Sequence, residues 1–305
     1  MPKHTPLRSL AEYSIVWPVL KTLEWLPLPL ARWASGSLAE GVRLLTPGWR
    51  RVAEQNLRLA LPQANQRDHD RIVRGVYQQL ARVLLALARA PRLNPSNIGR
   101  WIEYEGFEHY EQALAKGRGV LFLTAHLGNW ELSAMAHALF GNPMHVMVRP
   151  LDNPWLDRLV EKLRTRCGNQ TIRKQDAARD VLRLLHRNEA VGILADQNSA
   201  GGDAVFVDFF GVPASATAGF VKLAMRSGAT VLPGFALWKE SEKRYVLRFY
   251  PPLAMVSTGN PSEDVVVNTQ RCQSCIEAVI REHPDQWLWI HRRWKTRPPG
   301  EAAIY

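Results

Sequence analysis

Cysteine is scarce in this chain, and its scarcity excludes a scaffold held together by disulfide bonds. Only three cysteines occur in 305 residues: Cys167, Cys272 and Cys275. So few fit a protein of a reducing compartment. The last two form a lone C-x2-C pair in a region predicted to be helical, and a zinc site would need two further ligands. We therefore interpret them as ordinary helix positions and predict neither a metal nor another cofactor.

Long uncharged apolar runs are also missing. The stretch from Tyr13 to Leu45 is strongly apolar, but charged residues and prolines interrupt it, so no run reaches the roughly 18 residues of a spanning helix. The first ten residues lack the apolar core and cleavage site of a signal peptide. Two interpretations stay open: an anchor lying in the membrane surface, with Trp17, Trp25 and Trp33 beside its apolar segments, or a pair of core helices. A short tilted span is less favoured.

Several common catalytic motifs are absent as well. No G-x-S-x-G nucleophile elbow occurs, which argues against a covalent acyl-serine intermediate. There is no P-loop, and Gly117-Arg118-Gly119 lacks the third glycine of a dinucleotide fingerprint. H-E-x-x-H, the signature of one class of metalloprotease, does not occur. The basic residues are dispersed, without the arm or zinc-finger spacing that favours nucleic acid.

Acidic residues are in the minority, and this determines which partners the surface attracts. The chain has 28 Asp and Glu against 39 Lys and Arg, a net charge of +11. Such a surface attracts anionic partners: nucleic acid, anionic lipid or a phosphorylated glycolipid. The eleven tryptophans outnumber the seven tyrosines. Tryptophan is favoured both at membrane interfaces and in protein cores, so its abundance leans towards a membrane without deciding the matter.

From about residue 100, short apolar strands alternate with amphipathic helices. Buried strands are predicted at Val120–Leu123, Met144–Val148, Ala190–Ala195 and Ala229–Ala236, with an antiparallel return strand at Tyr245–Tyr250. This alternation predicts an α/β fold with a mostly parallel central sheet flanked by helices.

Helices are predicted between and around these strands: Asp68–Arg89, Glu108–Lys116, Asp176–Arg187, Ala214–Ser227 and Asp264–Glu282. Nothing marks a clean domain boundary. We therefore expect residues 1–48 to form N-terminal anchor helices and residues 49–305 to form one α/β domain.

The stretch GVLFLTAHLGNWE, residues 119–131, places two ionisable side chains beyond a buried strand. Glu131 follows His126 by five residues, roughly 140° around a continuous helix, so the two can pair only if His126 precedes the helix. Gly128 permits the tight turn and Asn129 can cap the helix. Either the carboxylate orients the imidazole as a general base, or His126 is a buried turn residue and Glu131 complements the helix dipole.

The segment HLGNWE resembles the H-x4-D/E motif of the lysophospholipid acyltransferase superfamily. It is most similar to the branch that adds the late lauroyl or myristoyl chains to lipid A, whose acidic member is Glu. Arg149 and the pair Asp196-Gln197, both at predicted strand ends, are also similar to that branch. One departure exists: members acting on glycerolipids carry an F-P-E-G-T-R-type motif where this chain has Ala195-Asp196-Gln197-Asn198. The resemblance thus implies a lipid A-like acceptor rather than a glycerol phosphate.

The resemblance implies that His126 and Glu131 form the catalytic dyad, with His126 as the general base. Asp196 would orient an acceptor hydroxyl or an active-site basic residue, and its plain alternative is to close a turn. For Arg149 the alternative to a substrate contact is a surface ion pair. The candidate substrate-binding residues are polar side chains at strand ends or helix starts: Arg149, Asn129, Asn153, Asp196 and Gln197.

The implied function is a membrane-bound O-acyltransferase at the cytoplasmic face of the inner membrane. It would move a fatty acyl chain from acyl carrier protein or acyl-CoA to a hydroxyl of a phosphorylated lipid A precursor, without a cofactor or a nucleic-acid partner. One alternative is another lipid acceptor: a phosphatidylinositol mannoside, an aminolipid or a lysophospholipid. The other, from a different class, is a non-catalytic basic protein that binds membranes or nucleic acid.

Two aromatic clusters remain. Trp287–Lys295 interleaves tryptophan with arginine and lysine, which suits either a lipid headgroup layer or a core-packed closing segment. We expect Phe206, Phe209 and Phe210 to pack in the core rather than line an acyl groove.

Overall fold

A seven-stranded sheet organises the chain, and it is seen in a computed structural model that describes residues 5–173 and 177–305. Its strands are β1 (Ile102–Glu105), β2 (Val120–Thr124), β3 (His145–Val148), β4 (Gln170–Arg173), β5 (Ala190–Leu194), β8 (Thr230–Lys239) and β9 (Arg244–Phe249). Their order is β1-β9-β8-β2-β5-β3-β4, and all neighbours are parallel except β8 and β9. The predicted α/β fold with a mostly parallel sheet is confirmed, as is the antiparallel return strand.

Helices cover the sheet. They are α1 (Pro6–Trp25), α2 (Leu28–Leu45), α3 (Pro47–Ala60), α4 (Gln66–Arg89), α5 (Phe107–Ala115), α6 (Trp130–Leu139), α7 (Pro154–Thr165), α8 (Ala177–His186), α9 (Gly219–Ser227) and α10 (Pro261–Glu282). The central strand β2 is uncharged because it lies between helical layers: the side chains of Val120–Leu123 are all buried. Asp176, the predicted start of α8, lies outside the described residues.

One predicted helix is wrong in its first half. Residues 212–217 form strand β7 (Val212–Thr217), which pairs with β6 (Ala204–Phe209) in an antiparallel hairpin, and α9 begins only at Gly219. Alanine and serine in this stretch give no strong local preference, so tertiary contacts decide. One such contact is the Arg293 guanidinium, which donates to the carbonyl of Ser215 over 2.6 Å. The short strand β4 also escaped the sequence pattern, because its four residues alternate weakly and lie at the sheet edge.

The N-terminal helices pack against α4. Leu20, Leu23 and Ala31 share a buried cluster with Leu85 and Ala88. The outward side of the same helices is apolar too, and its exposed large side chains are Leu7, Leu10, Ile15, Trp17, Trp25, Leu30, Trp33, Leu38, Leu44 and Leu45. Within the described residues, no helix combines the length and apolarity needed to cross a membrane. The division into residues 1–48 and 49–305 stays a prediction.

The aromatic clusters mostly join the core. Trp287, Trp289 and Trp294 are buried in the main hydrophobic cluster, so the core-packing interpretation of the C-terminal segment is the one the structure supports. Phe209 and Phe210 are buried as expected, whereas Phe206 is exposed and was predicted wrongly. Phe206 lies on the outer face of the two-stranded hairpin, where no further layer covers it among the described residues.

Candidate active site

The register of β2 and β5 brings two polar residues side by side. Thr124 pairs with Leu194 at the carboxyl ends of these parallel strands. Each strand is followed by one alanine and then a polar residue, so His126 and Asp196 leave the sheet next to each other. The neighbouring strand β3 ends at the same edge and is followed by Arg149. In open α/β sheets, ligands usually bind at the carboxyl ends of the strands, so polar groups at neighbouring strand ends indicate a ligand site.

The loop that carries His126 is fixed by the strand beneath it. Gly128 has φ +60°, and a Cβ on it would lie 1.9 Å from the carbonyl oxygen of Ala236. That close approach lets the amide of Asn129 donate to the same carbonyl over 2.9 Å, while Gly128 N donates to the carbonyl of Gln286 over 3.0 Å. The predicted role of Gly128 in a tight turn is confirmed.

Asn129 caps α6 rather than facing a ligand. Its Oδ1 accepts from the amide of Leu132 over 3.0 Å, and its Nδ2 donates to the carbonyl of Arg82 over 3.3 Å. The side chain is fully buried, with both polar ends used inside the protein. The structure therefore does not bring this candidate substrate-binding residue to the cavity.

His126 is paired with Asp196. The imidazole Nδ1 lies 2.9 Å from Asp196 Oδ1, and the backbone amide of His126 donates to Oδ2 over 3.0 Å. The indole N–H of Trp287 donates to the same Oδ2 over 2.8 Å. The carboxylate is 1 % exposed. Of the functions considered for Asp196, orienting a basic residue is the one this geometry matches.

Asp196 is ionised in these surroundings. Burial alone raises the pKa of Asp196, but the charge and hydrogen bonds of His126, together with the Trp287 N–H, outweigh burial and lower it to about 2. An ionised carboxylate only accepts hydrogen bonds, so Nδ1 of His126 must carry the proton. Nε2 then carries the lone pair, the atom through which an imidazole can accept a proton.

The Nε2 atom faces a cavity of about 1000 Å³ that His126 and Gln197 help to line. The amide nitrogen of Gln197 lies 3.3 Å from Nε2, so consecutive residues, Asp196 and Gln197, contact the two nitrogens of one imidazole. The His126 side chain is 20 % exposed, and the indole of Trp130 stands edge-on beside it. The imidazole is thus contacted at both nitrogens and remains accessible from the cavity.

The expected hydrogen bond between His126 and Glu131 requires a correction. Glu131 is bound instead by Arg164 at the last turn of α7, whose Nε and Nη2 reach its two oxygens over 2.9 and 2.5 Å. A nearly buried carboxylate needs such a partner, and the forked guanidinium satisfies both of its oxygens. Asp196 already occupies the Nδ1 side of His126 because β5 lies next to β2 in the sheet.

Sequence reasoning missed Arg164. The residue is one of several charged residues of α7 that a solvated helix face would explain, and nothing in the sequence signals its contact with Glu131, 33 positions earlier. Burial lowers the pKa of Arg164, but the hydrogen bonds and charge of Glu131 more than compensate and raise it above its ordinary value. Both residues line the cavity.

Arg149 lies at the cavity mouth. Its side chain is 71 % exposed and stands 3.6 Å from the carboxylate of Asp152. This weak, solvent-exposed pair leaves the guanidinium mobile and available to a ligand. The surface ion pair considered as an alternative is therefore present, at the edge of the cavity.

Asn153 holds helices together. Its Oδ1 accepts from the amides of Trp155 and Leu156 at the start of α7, and its Nδ2 donates to the carbonyl of Ser9 over 2.9 Å and to Glu12 Oε2 over 2.8 Å. The side chain is buried. The structure places it between α1 and α7, not in the cavity.

The remaining cavity wall is largely apolar. Five apolar side chains form much of this wall: Met147, Leu182, Ile193, Phe220 and Leu223. From the sequence pattern they would be placed in an ordinary hydrophobic core, and only the fold shows that they border an open space. Charged residues of α9 also line the cavity, and among them Lys222 pairs with Asp203.

The C-x2-C pair plays no part in this site. Cys272 and Cys275 lie on α10, and burial raises the pKa of their thiols to about 12 and about 11. Both thiols therefore stay protonated near neutral pH. Across the described residues, no three His, Cys, Asp or Glu side chains are grouped so as to hold a metal ion.

The fold and the site together place polar side chains from neighbouring strand ends of an α/β sheet at one cavity. A histidine paired with a buried carboxylate lies in the wall of this cavity, beside several apolar side chains. The chain belongs to the bacterial lipid A biosynthesis acyltransferase family, whose family model matches residues 1–296. It is therefore an acyltransferase, as the motif at His126 predicted.

Curated relatives agree with this membership. A lipid A biosynthesis acyltransferase of Haemophilus influenzae is 26 % identical over 284 residues, covering 92 % of this chain and 87 % of the relative. The lipid A biosynthesis lauroyltransferase of Escherichia coli is 28 % identical, covering 84 % and 82 %. The lipid A biosynthesis myristoyltransferase of the same species is 24 % identical, covering 84 % and 78 %.

Proposed function

We propose that this protein transfers a fatty acyl chain from an acyl thioester, on acyl carrier protein or coenzyme A, to a hydroxyl of a lipid A precursor. The observation that carries the proposal is the His126 imidazole, which Asp196 holds through Nδ1 while Nε2 faces a partly apolar cavity beside the Gln197 amide. Family membership and the names of the relatives support the choice of acceptor.

In the proposed reaction, Nε2 of His126 takes the proton from the acceptor hydroxyl as its oxygen attacks the thioester carbonyl. The resulting imidazolium is stabilised by the carboxylate of Asp196 through Nδ1. The tetrahedral intermediate then expels the thiolate, which recovers the proton from Nε2. Direct attack needs no covalent acyl-enzyme, in keeping with the absence of a nucleophile elbow.

Two arginines support anionic groups in this proposal. Arg164 is partly buried and fixed by two hydrogen bonds to Glu131, so it is the guanidinium better organised to stabilise an oxyanion. Glu131, the acidic member of the motif, then contributes to catalysis by holding Arg164. Arg149 is exposed at the mouth and suits a phosphate of the acceptor.

Gln197 is proposed to contact the acceptor. Its amide occupies the space beside Nε2 that the attacking hydroxyl needs. The arriving hydroxyl therefore displaces the amide, which remains close enough to donate to the incoming group.

Attachment to the cytoplasmic face of the inner membrane is part of the proposal. The exposed leucines and tryptophans of α1 and α2 form an apolar surface that a lipid interface would cover. Asn153 ties α1 to the loop beside Arg149, so this surface lies next to the cavity mouth. The net charge of +11 suits both anionic lipid and an acidic carrier protein.

The test is to offer the purified protein radiolabelled acyl carrier protein and acyl-CoA, each with a panel of acceptors. The panel contains a lipid A precursor, a phosphatidylinositol mannoside, an aminolipid and a lysophospholipid. We expect transfer to the lipid A precursor. Transfer only to another acceptor would overturn the proposed substrate, and binding without transfer to any of them would overturn the reaction.

A further inference from the structure

We propose that Trp287 is a positioning residue for the catalytic base, because its indole N–H fixes the carboxylate that aligns His126. This inference rests on the proposed role of His126 and extends it to a residue 161 positions further along the chain.

The carboxylate of Asp196 accepts three hydrogen bonds. Oδ1 accepts from the His126 imidazole over 2.9 Å, while Oδ2 accepts from the His126 amide over 3.0 Å and from Trp287 Nε1 over 2.8 Å. Two of the three donors belong to His126 itself. The third donor, the indole N–H of Trp287, is therefore the one of the three that does not come from His126. It can hold the carboxylate of Asp196 in place whatever the position of His126.

Trp287 is itself held firmly. It is 1 % exposed and stands edge-on to Phe209 and Trp289, with ring centroids 5.7 and 4.6 Å away. Residues 286–288 run antiparallel to the His126 loop: Gly128 N donates to the carbonyl of Gln286, and Leu288 N donates to that of His126, both over 3.0 Å. The direction of the indole N–H is thereby set by backbone contacts as well as by packing.

Loss of this N–H would act on catalysis in two ways. The carboxylate would be freer to rotate, so Nε2 would spend less time in the productive orientation. Oδ2 would also lose a donor, leaving a more basic carboxylate that holds the imidazolium form of His126 more strongly. The acid limb of the pH–rate profile would therefore move to higher pH.

Other charged groups near the pair are bonded to residues other than Trp287. His291 accepts from the amide of Asn198 over 3.1 Å, and burial lowers its pKa to about 4, so it is neutral near pH 7. Burial also lowers the pKa of Arg293 to about 10, which leaves this cation charged near Asp196. Glu131 and Arg164 form their own ion pair on the cavity wall. A shift of the profile therefore reports on the indole N–H.

Trp289 provides a matched control. It is equally buried, at 0 % exposure, but its Nε1 donates to the carbonyl of Pro284 rather than to Asp196. We expect Trp287→Phe to lower kcat roughly tenfold to a hundredfold, the loss of a hydrogen bond to a charged group, and to move the acid limb upwards with little change in KM. Trp289→Phe should destabilise the fold to a similar extent and leave the profile where it is.

If Trp287→Phe does not fold, site-specific incorporation of 3-benzothienylalanine at position 287 keeps the ring size and removes only the N–H. The same kcat loss and shift are expected. An unmoved acid limb, or a fall in kcat no larger than that of Trp289→Phe, would overturn the inference. The comparison is made with whichever acceptor the wild type uses, so failure of the lipid A assignment and failure of this inference remain distinguishable.

Discussion

Three residues from distant parts of the chain meet at a single imidazole. His126 follows β2, Asp196 follows β5, and Trp287 lies in the closing segment. The motif at residues 126–131 drew attention to His126, but spacing along one strand–helix unit cannot reveal a partner 70 residues away. The order of the strands in the sheet determines that Asp196 is the partner of His126, because β5 lies beside β2.

The first prediction concerns the base. His126→Ala should lower acyl transfer by about 10²–10⁴-fold, since the attacking hydroxyl loses its proton acceptor. Circular dichroism and melting temperature should stay close to wild type, because the side chain is partly exposed at the cavity. His186→Ala, at an exposed position on α8, is the matched control and should transfer normally. Undiminished transfer by a clean preparation of His126→Ala would reject the mechanism.

The second prediction uses the lowered pKa of Asp196. Its folded value of about 2 lies below the ordinary 3.8, so the carboxylate stabilises the fold above pH 4, and this stabilisation is lost as pH falls towards 2. The advantage is about 2 kcal/mol. The difference in unfolding free energy between wild type and Asp196→Asn should therefore shrink from pH 5 to pH 2 in denaturant titrations. A constant difference would show that Asp196 is not an ionised partner of His126.

The third prediction separates the two arginines. Arg164→Lys keeps the charge but loses the fork that binds Glu131, so kcat should fall roughly tenfold to a hundredfold with KM little changed. Arg149→Lys should preserve activity, whereas Arg149→Ala should raise KM for a phosphorylated acceptor. Steady-state kinetics with phosphorylated and dephosphorylated acceptors measure both effects. If Arg149→Ala lowered kcat and Arg164→Lys did not, the proposed functions of the two arginines would have to be exchanged.

At the scale of elements, the loop between β2 and α6 is the most constrained piece of the site. It is pressed against β8 at Ala236 and against the closing segment at Gln286. The strand, the glycine turn and the Asn129 cap were all predictable, because each depends on local chemistry. The β6–β7 hairpin was not, since small residues at 214–217 carry little preference and a partner strand decides their conformation.

The fourth prediction tests that loop. Gly128→Ala would place a Cβ against the carbonyl of Ala236 and should lower both stability and activity, because the backbone carrying His126 must move. Gly117 offers the matched control: it has a similar φ of +70°, but a Cβ there meets nothing within 4 Å. Gly117→Ala should cost only the conformational strain of about 1–2 kcal/mol, with activity retained. If Gly128→Ala and Gly117→Ala lowered the melting temperature and the activity equally, the close approach of Gly128 to Ala236 would have no special importance.

At the scale of the whole molecule, apolar exposure is concentrated at one end. The large exposed side chains of α1 and α2 lie on the side of these helices that faces away from α4. Composition could predict an apolar N-terminal segment, but not which residues would be covered. The spacing of the C-terminal tryptophans could not predict their burial either, because tryptophans interleaved with basic residues suit a headgroup layer as well as a protein core. In the structure they belong to the core, and one of the basic residues, Arg293, is buried with them.

The fifth prediction concerns this surface. Replacing Leu7, Leu10 and Trp17 together by serine should weaken flotation with anionic vesicles, because exposed apolar area would be removed without disturbing the buried faces of α1. Val266→Ser, an exposed apolar position on α10, should leave flotation unchanged. Transfer to an acceptor dispersed in detergent should survive in both variants. Unaltered flotation of the triple variant would remove α1 from the membrane-binding surface.

The backbone bond from Leu288 to His126 has a consequence for the order in which the enzyme becomes competent. Contacts between such distant residues form late in folding, because closing a long loop costs chain entropy before the contacts add any stabilising free energy. The direction of the imidazole is therefore fixed only once the closing segment has reached the loop after β2.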